Sequence, residues 1–146
     1  MLRPRRLRPE EIAELLAAEV PARLATLDAA GYPHVTPIWF AWDGEAFHMT
    51  SLLAKPHVER LRRDPRAGLV IDVEAEERPD GQRPNRQVRV IGNAHLEPEL
   101  DGHWTRLITH RYVRGPAADA HAEARAAQAR VVISLRPTQW VTVASV

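Results

Sequence analysis

The sequence predicts a mainly β fold, a closed or split antiparallel barrel with peripheral helices. Residues 22–50, ARLATLDAAGYPHVTPIWFAWDGEAFHMT, read as three antiparallel strands joined by tight turns. Strand-like runs recur at residues 68–73 (GLVIDV), 87–96, 131–135 and 140–146, with helical stretches inserted between them. Adjacent antiparallel strands leave exposed edges, and closing or folding the sheet on itself removes them.

Each element has a local cause. Residues 1–8 carry Arg3, Arg5, Arg6 and Arg8 and read as a flexible, solvated tail; the functional alternative is a basic patch for the anionic tail of a ligand. A helix over residues 9–18 opens at Pro9, where a missing N–H costs nothing, and Ile12, Leu15 and Leu16 share one face. The first strand is 22–27, and Asp28-Ala29-Ala30-Gly31 turns into the second, 34–39. Asp43-Gly44 signals a tight hairpin from the second strand to the third. A helix over 56–63 turns Val58 and Leu61 inward and stops at Asp64-Pro65, because proline disfavours helical geometry before it. The run at 68–73 is apolar enough to be buried on both faces. Residues 74–86 are polar and proline-rich, a surface loop within one domain spanning 1–146. A helix over 100–114 would bury Trp104, Leu107, Ile108 and either Tyr112 or Val113, and Gly115-Pro116 ends it. Residues 117–129 favour a helix by alanine content alone.

Composition narrows the function classes. The chain has 146 residues, 45% hydrophobic and 27% charged, and a net charge of +1, a balance that points to neither nucleic acid nor a membrane surface. It has no cysteine, which removes disulfides, thiolate metal sites and cysteine nucleophiles and favours a cytoplasmic setting. No apolar run has the length of a membrane span. Seven histidines are present, but no HxxxH or HExxH spacing, so no metal site is expected. Ser51, Ser134 and Ser145 lie in no GxSxG context, and the glycines form no phosphate-cradling loop.

Four anchors carry chemistry. Pro37 breaks the apolar run His34-Val35-Thr36-Pro37-Ile38-Trp39, so this strand either faces a ligand or is an edge or bulge. Thr50, Ser51 and Lys55 stand just ahead of a helix opened by Pro56. They combine hydroxyls, a cation and helix-start N–H groups, as a phosphate requires, although each residue type is also ordinary at a strand end. Ile38 and Trp39 offer an apolar shelf for a flat ring, or simply core. Gln87 and Arg89 complete the set, with a solvated strand face as the alternative.

Together the pieces RLATLDAAGYPHVTPIWFAWDG, the strand ending in Thr50, LRRDPRAGLVIDV and RQVRVIGNAHLEPE resemble the pyridoxamine 5′-phosphate oxidase-like family of split-barrel flavoproteins, including its deazaflavin-dependent branch. The resemblance covers roughly residues 22–97. It implies a split β-barrel of the FMN-binding type and a homodimer with a cofactor at each interface, FMN or the deazaflavin coenzyme F420. It assigns the ring and ribityl chain to His34, Val35, Thr36, Pro37, Ile38 and Trp39, hydroxyl and backbone contacts to Thr50 and Ser51, one phosphate cation to Lys55 with the second left open, and further cofactor contacts to His57 and Gln87. The Ser-Arg-Lys phosphate element of the oxidases reads Ala54-Lys55-Pro56-His57 here, and the arginine opening the second-strand motif is His34. Their C-terminal tryptophan- and arginine-bearing segment is absent, so the vitamin B6 oxidase itself is not expected. The implied activity is transfer of a hydride or electron pair to a small molecule, with no side-chain acid or base named. The alternative is a non-enzymatic flavin- or haem-binding protein, with His34, His57 or His95 as axial ligand.

Overall fold

A computed structural model describes residues 3–145. Its elements run β1 (Pro4–Arg5), α1 (Pro9–Ala17), β2 (Ala22–Leu27), β3 (Pro33–Ile38), β4 (Ala41–Trp42), β5 (Phe47–Leu52), α2 (Pro56–Arg63), β6 (Arg66–Glu74), β7 (Asn85–Glu99), α3 (His103–Tyr112), α4 (Ala118–Ala126), β8 (Arg130–Leu135) and β9 (Gln139–Ser145). All pairings are antiparallel, in the order β3-β2-β6-β7-β8-β5-β4, with β9 pairing both β7 and β1. This is the expected split barrel.

The long strand β7 joins its two halves. Asn85 to Ile91 pair with β9, and Ala94 to Glu99 pair with β8. Gly92 stands where the partner changes, and a Cβ there would lie 2.6 Å from the Arg136 carbonyl oxygen. Phe40, Phe47, Met49, Leu24, Leu69, Ile71, Val88 and Ile133 fill the space between the halves. Trp42 and Trp140 meet edge to face at 5.4 Å over this core and tie β4 to β9.

Several expectations change. The second and third predicted strands do not pair. After Ile38 the chain crosses to the other half, and Asp43-Gly44 turns β4, not β3, into β5, with Gly44 at φ +97°. The run at 68–73 buries only Leu69 and Ile71, while Gly68, Val70 and Asp72 stay half-exposed on the other face. In α3 the buried residues are Thr105, Ile108 and Thr109, whereas Leu107 is exposed. That helix faces β5 and α4, whose hydroxyls and guanidinium need polar partners. The tail expected at residues 1–8 is built into the sheet from Pro4, with Pro4 opposite Ser145 and Arg5 opposite Ala144; residues 1 and 2 lie outside the described residues.

Glu11 explains that anchoring. Its carboxylate is buried and accepts two bonds from Arg5, at 2.8 and 2.9 Å, and one from the Arg8 N–H at 3.0 Å. Arg86 lies 3.4 Å away on β7. The Arg5 guanidinium first, then the Arg8 N–H, hold the Glu11 carboxyl down to about 2, against an ordinary 4.5. A folded-state pKa below the unfolded one gives stability that is complete above pH 4.5 and is lost as pH falls towards 2. Glu11→Gln is therefore expected to flatten the acid limb of a pH–stability curve in that window. An acid limb identical to wild type would show that Glu11 is not its source.

Candidate functional site

The strand β3 is an edge, and its prolines are placed by the hydrogen-bond alternation. The Asp28 N–H donates to the Tyr32 carbonyl at 2.9 Å, which makes 28–32 a bonded pair. Counting by two along the register, Thr26–His34, Leu24–Thr36 and Ala22–Ile38 are the bonded pairs. Pro33 and Pro37 fall on the alternate positions, whose N–H groups would point away from β2. The ladder loses nothing to either proline. The outer edge keeps the Val35 N–H and the carbonyls of Pro33, Val35 and Pro37, and a proline on each side of Val35 obstructs pairing by another strand.

Beyond the end of β3 lies a groove of about 590 Å³, walled by Pro37, Ile38, Trp39, Ile108 and Val113, with Thr50, His121 and Arg125 as its polar lining. Trp39 is held in place: it stacks on Tyr112 with centroids 4.9 Å apart, and the Arg125 guanidinium sits 4.9 Å from its ring centre. Its neighbour Phe40 is fixed through Arg111, which donates to the Phe40 carbonyl at 2.8 Å and to those of Leu16 and Ala18 at 2.6 and 2.8 Å. The Tyr112 hydroxyl donates to the Val20 carbonyl at 2.9 Å.

The structure brings Pro37, Ile38, Trp39 and Thr50 to this one groove, while the other expected contacts lie elsewhere. His34 is exposed and bonded to Asp28 at 2.9 Å. Val35 lies on the outer face of the sheet, and Thr36 is half-buried on the core side opposite Leu24. Ser51 points inward, and its hydroxyl shares a 2.8 Å hydrogen bond with His57 Nε2. Burial pushes the His57 imidazole below its ordinary value, and the Arg60 and Lys55 charges act the same way. Lys55 is exposed at the start of α2 and does not line the Trp39 groove. Gln87 belongs to the outer face, in a cleft with Arg23, Asp72 and Asn85, and donates to Asn85 at 3.1 Å.

Sequence reasoning missed Tyr112, His121, Arg125 and Arg130. The arginines stand in an alanine-rich helix and at the head of an apolar strand, outside every quoted motif. An arginine heading the run RVVISL carries no local signal of this role, because the pairing of β8 with β5 is what places it beside Thr50.

A second arrangement was also not legible. Asp43 Oδ2 lies 2.6 Å from His48 Nε2, and His48 Nδ1 lies 2.9 Å from Ser134 Oγ. The order resembles a hydrolytic triad, but none of the grooves described here is lined by these residues, and His48 is stacked on Trp104 at 3.9 Å. The relay fixes the β4–β5 hairpin onto β8. The Ala46 N–H, then His48, hold the Asp43 carboxyl down to about 2. Among the described residues no group of three histidines, aspartates or glutamates is arranged for a metal ion, and no helix is long and apolar enough to cross a membrane.

A phosphate-bearing ring cofactor needs an apolar wall, backbone groups to read the ring edge and cations to balance its charge. The groove, the open edge of β3 and the Arg125 guanidinium in the groove lining meet that requirement in kind, with Arg130 reaching the lining residue Thr50.

Comparison with known proteins agrees with this architecture. An F420 reductase is 26% identical with a TM-score of 0.64, the match covering 88% of this chain and 94% of that one. An FAD-binding protein from Mesorhizobium loti shares the fold at 20% identity and TM-score 0.70, over 98% and 99% of the two chains. So does HutZ, the haem storage protein from Vibrio cholerae, at 22% identity and TM-score 0.68, over 95% and 96%. No curated protein matches the chain. Residues 9–144 match the family model described as pyridoxamine 5′-phosphate oxidase, and the chain belongs to that family.

Proposed function

We propose that the protein is an oxidoreductase that holds FMN, or the deazaflavin coenzyme F420, in the Trp39 groove and acts on a small molecule. The observation that carries this reading is the open outer edge of β3, with Val35 and Pro37 carbonyls and the Val35 N–H, running into a groove whose polar lining includes the Arg125 guanidinium. The likeness to an F420 reductase supports it. When bound, such a cofactor supplies the hydride or electron pair. The chain's own part is placement. Pro37 and Ile38 form an apolar wall, Trp39 is locked by Tyr112, the edge of β3 reads the ring, and the walls exclude water. No side-chain acid or base is assigned.

The same reading makes the protein a homodimer. The outer face of β3, β2, β6, β7 and β9 carries Val35 at 65% and Ile91 at 51% exposure, with Ala25, Val70 and Val141 between them. An apolar sheet face of this kind fits a second copy, and a stable dimer covers about 800 Å² on each partner. Gln87 lies on that face, apart from the Trp39 groove of its own chain. In a dimer it serves the groove of the second copy.

The test is the visible spectrum of the protein purified without added cofactor, with mass spectrometry of the ligand released on denaturation. FMN release, or tight binding on titration with FMN or F420, is the expected result. Failure of both overturns the reading, and tight haem binding in their place supports the storage alternative. Lys55, outside the groove of its own chain, is proposed like Gln87 to serve that of the second copy. Lys55→Ala is then expected to weaken cofactor affinity about tenfold, the worth of one charge-assisted bond, with an unchanged thermal midpoint. Unaltered affinity removes Lys55 from the site.

A further inference from the structure

We propose that Arg125 and Arg130 form an anion-binding recess at the end of the Trp39 groove. It takes the carboxylate or phosphate monoester of a ligand whose apolar body lies along Pro37, Ile38 and Ile108. Arg130 is 8% exposed, and among the described residues its guanidinium donates to Thr50 alone, at 3.4 Å to Oγ1 and 3.3 Å to the carbonyl oxygen. The Arg125 guanidinium makes one hydrogen bond among the described residues, 2.6 Å to Thr109 Oγ1. Neither arginine has a carboxylate within ion-pair distance among the described residues. Glu99 acts on both only from farther off, and its oxygens instead accept the Thr105 N–H at 3.4 and 3.3 Å.

Arg111 shows what a satisfied buried guanidinium looks like in this fold, with three carbonyl acceptors at 2.6 to 2.8 Å. Arg125 and Arg130 have hydroxyls and one distant carbonyl instead. Burial pushes both below the ordinary guanidinium value, and the charge of Arg125 pushes Arg130 further. Two like charges held this way are costly unless an anion enters between them. Guanidinium forks match the paired oxygens of a carboxylate or phosphate. His121 at the rim adds a third nitrogen donor, and the walls suit an apolar or aromatic body. The anion is either the cofactor's own acidic group or that of the second reactant, and choosing between them rests on the cofactor reading above.

The experiment measures the thermal midpoint of the full chain in inorganic phosphate and in benzoate, against sodium chloride of equal ionic strength. Wild type is expected to gain several degrees in phosphate or benzoate beyond the salt control. Arg125→Gln, which keeps a donor for Thr109, loses the gain, and Arg125→Lys retains part of it. Arg130→Gln is the second variant, and if it does not fold the Arg125 pair decides. A wild-type protein with no gain, or an Arg125→Gln protein with the full gain, overturns the recess. FMN and F420 titrations of the same proteins identify the source. A tenfold or greater loss of cofactor affinity in Arg125→Gln assigns the recess to the cofactor's acidic group; unchanged affinity with a lost benzoate response assigns it to the second reactant. An Arg125-dependent gain in a protein that binds neither cofactor upholds the recess and defeats the cofactor reading.

Discussion

Phe47→Ala is expected to lower the free energy of unfolding by about 3–5 kcal/mol, the cost of deleting a fully buried aromatic side chain. Phe47 has no exposed surface, and its ring lies 4.6 Å from Trp42, 5.7 Å from Phe40 and 5.8 Å from Trp140. It therefore joins β5 to β4, to the crossing segment after β3 and to β9. The surrounding indoles are themselves pinned by strand pairing and cannot collapse into the space a methyl leaves. Small domains are stable by only about 5–15 kcal/mol, so one residue accounts for a large share. Urea unfolding of wild type, Phe47→Ala and Phe47→Leu checks this, with leucine losing less than alanine. A loss below about 1 kcal/mol for alanine would mean that the halves are not held together by this cluster.

Gly92→Ala is the second large effect, expected at about 1–3 kcal/mol and reached by crowding rather than by a void. The added methyl would sit 2.6 Å from the Arg136 carbonyl oxygen and 3.1 Å from the Leu135 side chain. The obstacle is backbone, held by the Thr138 N–H, which donates to the Ile91 carbonyl at 2.9 Å. Relief requires moving the β8–β9 turn. Gly68 offers a control on the neighbouring strand β6, since a Cβ there meets nothing closer than 3.7 Å. A midpoint shift in Gly92→Ala no larger than in Gly68→Ala would sink the crowding argument.

Much of the fold is legible in the sequence because its punctuation is local. Pro9, Pro56 and Asp64-Pro65 set helix ends within a residue, and the bounds of β2 follow from its alternation. What fails is long-range. Asp43-Gly44 announces a hairpin but not which strand enters it, and only two residues, Ala41 and Trp42, do so. Pro37 gave the right suspicion of an open edge, yet its harmlessness to the ladder depends on a register that the turn at Asp28 to Tyr32 fixes. For α3, apolar periodicity selected Trp104 and Leu107, while the face turned inward carries Thr105 and Thr109. Buried hydroxyls there answer the guanidinium of Arg125 and the hydroxyl of Thr50. No pattern of apolar residues encodes that. The same holds for the site: part of its wall was visible in one strand, while Arg125, the guanidinium in its lining, comes from α4, more than eighty residues along the chain.

The shared strand β7 has a consequence for how the molecule comes apart. Because one continuous backbone is paired to β6, β8 and β9, neither half of the barrel has a sheet that is complete without it. Loss of β7 from either half strips the other of its central strand, so the two halves are not separable units of stability. They are expected to melt in one cooperative step, and the groove, lined by the end of β3 and by Thr50 from the opposite half, exists only while both are intact.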